Sequence, residues 1–472
     1  MPRRFVKLLA LTATLLLIMP MLAAIGRADA LAQDATPAAV ASPGGMAPNP
    51  DITGTIDVGM VGNPQMTTLQ ALVDAGEFNK VYPNVKVNLT VLPENEIRQT
   101  ITQDVSNQSG QFDVFTVGTF EVPLWGQQGW LEEVGDDAAA NPTYDLEDIF
   151  PAHRAGLSYD GKLYGLPFYG ESSMTFYRKD LFEAAGLEMP ERPTWEQIGE
   201  FARTLNKPDQ QQYGICLRGL PGWGEQLAPL TTVINAYGGR WFDEDWKAQL
   251  DSEKSKAAIS FYIQLLKDAG EPGAEQSGFT ECENLFNDGK VAMWYDATSA
   301  AELLSDPELN KFADQVGFAY APSAELPTGS WLWNWAFAME ANSDAKEAGI
   351  AFMTWATSKE FEQLVAQKEG WGKAPTGARE STYADPSYQE FAGEFADIVL
   401  KSIEAANPDK PTVDPVPYTG GQFVRIPEFQ QLGTDVSQQF AAAIVGDKTI
   451  DEAIKAANDL ANQTAIDGGY QT

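Results

Sequence analysis

Short apolar runs and amphipathic helical patterns alternate along most of this chain. Residues 56–61 form an apolar run that leads into the turn Gly62-Asn63-Pro64. A helical pattern follows, carrying Leu69, Leu72, Val73 and Phe78. Residues 85–91 alternate with period two, which predicts a strand with one polar face. Residues 97–105 read as helix and 112–117 as a short buried strand, while 163–168 and 174–177 bracket Gly170-Glu171-Ser172. Thr194 and Gln197 stand at capping-box spacing and open a helix toward Leu205. Residues 257–267 place Ile259, Tyr262, Ile263 and Leu266 on one helical face. Strands are predicted at 290–294 and 315–320, and alanine-rich helices at 344–357, 359–368, 434–444 and 450–464. The last of these begins at a second capping box, Thr449 and Glu452. Strands alternating with helices predict an α/β architecture with mainly parallel sheets flanked by helices. No internal repeat is visible.

The first 32 residues break this alternation. Arg3, Arg4 and Lys7 precede an apolar run from Leu8 to Ile25, interrupted by Pro20, and small residues follow at 28–30 and 30–32. This pattern predicts a secretory signal cleaved near Ala30 or Ala32. No Cys lies near its end, so a lipoprotein is not expected. Residues 33–50 are rich in Ala, Pro, Gly and Ser and predict a flexible tether. No later stretch approaches the ~18 apolar residues of a membrane span.

Composition narrows the function. The chain has 472 residues, 44% hydrophobic and 21% charged, which suits two or three globular domains or lobes. Its 66 acids against 32 basic residues give −34. Removing residues 1–32 deletes Arg3, Arg4, Lys7, Arg27 and Asp29, which leaves 28 basic and 65 acidic residues, or −37. A field of that sign repels phosphate backbones and anionic lipid, so nucleic acid is excluded as a partner class. A single His and two Cys cannot build a multi-His metal site or a CxxC cluster. In an exported protein Cys216 and Cys282 either form a disulfide or stay as buried thiols.

No GxSxG, HExxH, Walker loop or GxGxxG follows a strand in this sequence. His153, in Pro151-Ala152-His153-Arg154, reads as a surface or capping residue. A carboxylate pair for glycoside hydrolysis stays open as a rival, because acids are abundant. Three stretches stand out. Trp331, Trp333 and Trp335 recur with period two, so a strand would align them as an aromatic wall for a carbohydrate or polyol. Arg218-Gly219 through Trp223-Gly224-Glu225 joins a guanidinium, an indole and glycines in one loop. Met293-Trp294-Tyr295-Asp296 is a strand end with an acid just past it, where open α/β sheets hold ligands.

Several motifs, taken in order, resemble a known family. They are Glu77-Phe78-Asn79-Lys80-Val81-Tyr82-Pro83, Phe112-Asp113-Val114-Phe115, Gly161-Lys162-Leu163-Tyr164-Gly165-Leu166-Pro167 with Phe176-Tyr177-Arg178-Lys179-Asp180-Leu181-Phe182, and Phe286-Asn287-Asp288-Gly289-Lys290. Over residues 52–464 the chain resembles bacterial extracellular solute-binding proteins of family 1, the sugar receptors of ABC importers. Cys216-Leu217-Arg218-Gly219, Trp294-Tyr295-Asp296-Ala297-Thr298 and Ile426-Pro427-Glu428-Phe429-Gln430 are similar to its sorbitol/mannitol branch.

The resemblance implies a type II periplasmic-binding-protein fold of two lobes, 51–168 plus 320–371 and 169–319 plus 372–472, joined by hinge crossings. A polyol or related sugar would bind between the lobes and pass to ABC permease subunits, with no cofactor and no catalysis, the receptor acting as a monomer. The ligand-contacting positions it implies are Asn63, Glu121, Tyr169, Glu171, Arg218, Trp223, Asp296, Trp331, Trp333, Trp371 and Gln422. The rival is a secreted carbohydrate-active enzyme that uses a carboxylate pair in the aromatic groove.

Overall fold

The computed structural model describes residues 46–327 and 331–471. The expected signal segment, its cleavage site and most of the tether lie outside the described residues. Five strands form the first sheet, in the order β2-β1-β3-β10-β6. They are β1 (Thr53–Val61), β2 (Asn84–Leu92), β3 (Val114–Gly118), β6 (Gly165–Glu171) and β10 (Trp333–Met339). A small hairpin, β4 (Ser158–Tyr159) with β5 (Lys162–Leu163), precedes β6. The second sheet has the order β8-β7-β9, from β7 (Ser173–Arg178), β8 (Met293–Ala297) and β9 (Val316–Tyr320).

The parallel pairing expected from the alternating pattern is found where a helix returns the chain. β1 pairs in parallel with β2 and β3. The returning helices are Pro64–Asp74 with Glu77–Val81, and then Glu94–Asn107. β3, central between β1 and β10, is buried at all five positions, as a strand covered on both faces requires. The expectation of mainly parallel sheets is corrected elsewhere. β10 is antiparallel to both β3 and β6, and β7 is antiparallel to β8 and β9. The cause is connectivity. β6 runs into β7 across Ser172 alone, and β9 and β10 arrive from distant sequence, so no short crossover helix sets their direction.

The chain leaves the first sheet after Glu171, three residues later than Phe168. It re-enters that sheet at Trp333. A further segment passes this crossing, where Gly170 N–H donates to Thr376 O at 3.1 Å. His153, expected at the surface, is fully buried here. Its ring lies between Asn334 Nδ2 at 2.8 Å and Gly377 O at 3.0 Å. Burial pulls its pKa down to about 4, so the imidazole is neutral.

Both capping boxes form as the sequence predicts, at Thr194/Gln197 and Thr449/Glu452. The C-terminal helices Phe429–Val445 and Ile450–Asp467 pack on each other and on Glu253–Ala269. Cys216 and Cys282 are joined in a disulfide, with Cα atoms 5.5 Å apart. Closing a loop of 66 residues contributes ~4 kcal/mol in the chain-entropy account. Among the described residues no helix is long and apolar enough to cross a membrane.

Candidate ligand-binding site

A small cavity lies where the ends of β6 and β10 meet the segment 218–228. Two guanidiniums anchor it. Arg218 makes a two-pronged contact with Asp296, Nε to Oδ2 at 2.8 Å and Nη2 to Oδ1 at 2.6 Å. Its Nη1 donates to Gly224 O at 3.2 Å and lies 3.4 Å from Glu225 Oε2. Such a fork fixes the guanidinium plane. Asp296 sits within β8 rather than past its end, so the expected placement is corrected. It is fully buried and also accepts from Trp294 Nε1 at 3.1 Å. It orients Arg218 and does not line the cavity.

Arg98, on the helix Glu94–Asn107, is held differently. Its Nη1 donates to Glu121 Oε1 at 2.6 Å and its Nε to Glu94 Oε1 at 3.0 Å. Three indoles surround its guanidinium carbon: Trp223 and Trp335 at 4.4 Å and Trp333 at 5.0 Å, each within cation–π range. Glu121 also accepts from Gly118 N–H at 3.1 Å. Burial raises the Glu121 pKa, and Arg98 opposes that rise.

The period-two indoles reach the cavity as a set: Trp331, Trp333 and Trp335 all line it. β-sheet register places Trp333 opposite Glu171 and Trp335 opposite Gly118 and Tyr169. A Cβ at Gly118 would overlap the Trp333 ring, so only glycine leaves that indole room. Trp331 is 1% exposed, and among the described residues its Nε1 has no hydrogen-bond partner. A buried indole donor normally finds one. Glu171, 6% exposed at the end of β6, accepts from Ser299 Oγ at 2.6 Å. Burial pushes its pKa up to about 8; Ser299 and Arg218 oppose the rise, while Asp296 and Glu94 add to it. Glu225 rises to about 7, first through burial and then through Glu94.

Of the expected positions, Glu171, Arg218, Trp331, Trp333 and Gln422 line this cavity together. Glu121, Trp223 and Asp296 stand behind the wall, bonded to or stacked on its guanidiniums. Asn63 caps the helix Pro64–Asp74 and donates to Tyr169 Oη at 3.0 Å, outside the lining. Trp371 packs on Tyr388 and donates to Ser387 Oγ at 3.1 Å, also outside it. Sequence reasoning missed Glu94 and Arg98. Their one signal was position, because Glu94 begins a helix two residues after the carboxyl end of β2. Gln422 and Phe423 also border a wider chamber, but the charged and indole groups converge on the smaller one.

The chain as a whole has relatives among known proteins. The family model for bacterial extracellular solute-binding proteins matches residues 33–363. A protein named mannitol-binding protein from Pseudomonas aeruginosa is 46% identical over 417 residues, covering 88% of this chain and 94% of its own. A solute-binding protein crystal structure from Agrobacterium vitis S4, with bound D-mannitol, superposes with a TM-score of 0.86 at 48% identity. That alignment covers 89% of this chain and 100% of the other. One from Agrobacterium radiobacter K84, in complex with ribitol, gives 0.77 at 25% identity over 88% of this chain and 100% of its own. The chain, with its two main sheets and a cavity at the ends of β6 and β10, belongs to the bacterial extracellular solute-binding protein family.

Proposed function

We propose that this protein is the extracytoplasmic binding component of an ABC importer, taking a sugar alcohol of the D-mannitol kind. The ligand is held between two lobes, one built on each sheet, with the first boundary after Glu171. Residues 1–32 serve as a cleaved signal without lipid attachment, and the mature receptor works as a monomer with ABC permease subunits.

The observation that carries this reading is the unpartnered Trp331 Nε1 beside Arg218 and Glu171 on one cavity wall. A buried donor without a partner costs about 1–3 kcal/mol, which a ligand hydroxyl would recover. Arg218 and Arg98 donate to hydroxyl oxygens, Glu171 and Glu94 accept from hydroxyls, and the indoles cover the C–H faces. The relatives whose names or bound ligands are mannitol and ribitol support the same ligand class.

The rival, a carbohydrate-active enzyme, finds less support. Asp296, Glu121 and Glu225 are each within 3.4 Å of a guanidinium and are committed to holding it in place. A thermal-shift panel of alditols, monosaccharides and disaccharides tests the proposal. Ligand stabilises by RT ln(1 + [L]/Kd), so hexitols should raise the melting temperature most. No shift with any alditol overturns the reading.

A further inference from the structure

The cavity gathers more carboxyl groups than guanidiniums, and one of its acids has no cation. Five carboxylates line it or bond directly to its wall: Glu94, Glu121, Glu171, Glu225 and Asp296. They face two guanidiniums, Arg98 and Arg218. Arg98 is taken by Glu94 and Glu121, and Arg218 by Asp296 and Glu225. Glu171 is left over. Among the described residues its side chain bonds to the Ser299 hydroxyl and forms no ion pair. It is nonetheless 6% exposed and faces the cavity beside Trp331, whose own donor is unpartnered. What sets Glu171 apart from other hydroxyl-bonded buried acids is that it lines the cavity, where a ligand cation can reach it.

We infer that the site also accepts a cationic amino-alditol, its ammonium seated on Glu171 and its hydroxyls on Arg218 and Trp331. The inference rests on the polyol reading and extends it to a second ligand class. A neutral polyol offers Glu171 only hydroxyls. An ammonium forms a charge-assisted hydrogen bond, roughly twice as strong as a neutral one. It is also attracted by Glu94 and Asp296, the acids that face Glu171, and repelled by Arg218. Burial raises the Glu171 pKa to about 8, so near neutral pH much of it carries a proton. An arriving ammonium lowers that pKa and displaces the proton into solvent, whereas a neutral polyol does not.

Calorimetric titration of the mature protein at pH 7.5 with D-mannitol and with 1-amino-1-deoxy-D-mannitol tests this. The amine should bind about tenfold more tightly, the equivalent of one added charged hydrogen bond. Its heat should vary with the ionisation enthalpy of the buffer, showing proton release, while that of mannitol should not. In Glu171→Gln the amine should lose its advantage. The proton-release readout needs no variant, so it stands if Glu171→Gln folds poorly. Equal or weaker binding of the amine overturns the inference, as does an advantage that survives in Glu171→Gln. Mannitol binding without an amine advantage refutes this inference alone. Amine binding without mannitol binding refutes the neutral-polyol reading alone, and binding of neither refutes both.

Discussion

The candidate cavity and the crossing near Thr376 both bury acids, but they give them different partners. In the cavity, Asp296 and Glu121 are bonded to guanidiniums. At the crossing, Glu302 accepts from Thr376 Oγ1 at 2.6 Å and Tyr388 Oη at 2.9 Å, and Glu362 accepts from Thr382 Oγ1 at 2.6 Å. Neither crossing acid forms an ion pair among the described residues. Arg379, nearby, is committed to Asp148 at 3.2 Å. Burial accordingly raises Glu302 to about 7 and Glu362 to about 8, with the hydroxyl donors opposing. Most cavity acids are bonded to guanidiniums, and the crossing acids to hydroxyls. Glu171 is the exception that joins the two. It lies in the cavity but is bonded as the crossing acids are.

The largest effect should come from breaking the charged pair. Arg218→Met leaves Asp296 fully buried without its cation. Stability in urea should fall by about 3–5 kcal/mol, with ligand binding abolished. A loss under about 1 kcal/mol would show that the pair does not hold the site.

The crossing should respond to pH instead. Between the carboxyl's ordinary value near 4.5 and about 8, native Glu362 binds more proton than the unfolded chain does. Stability contributed there therefore falls as pH rises through that window. Glu362→Gln should flatten the decline between pH 5 and pH 8 and be more stable than wild type at pH 8, by on the order of 2 kcal/mol. Parallel curves for the two proteins would mean Glu362 is ionised and paired. His153 acts on the other flank: its pKa falls to about 4, so its contribution is lost below the ordinary value of 6.5 as pH drops.

The smallest effect is the most specific. Trp331→Phe keeps an aromatic body but removes the unpartnered N–H together with part of the bicyclic ring. Relief of the buried donor offsets the lost packing, so unliganded stability should change by less than about 0.5 kcal/mol, while mannitol affinity falls about fivefold. Equal losses of stability and affinity would make Trp331 ordinary core.

The fold was legible where one element dictates the next. Apolar runs and intervening amphipathic helices located β1, β2 and β3 and their parallel pairing, because a crossover helix sets strand direction. Directions of β7, β8, β9 and β10 depend on partners far away in sequence, which periodicity does not carry. Site residues divide the same way. Trp331 and Trp333 were visible because period two aligns side chains wherever the strand lies. Arg98 was invisible because a charged residue in a mostly polar helix reads as solvent-facing, and only tertiary packing surrounds it with three indoles. His153 misled for a related reason: its short helix looks exposed until the crossing segments close over it.

The central claim is that the cavity binds a hexitol without changing it. The direct test is a calorimetric titration of D-mannitol into the mature protein, followed by chemical analysis of the recovered ligand. A saturable heat at one site per chain, with all mannitol recovered intact, is the predicted result. Absence of saturable heat, or recovery of an altered product, would contradict it.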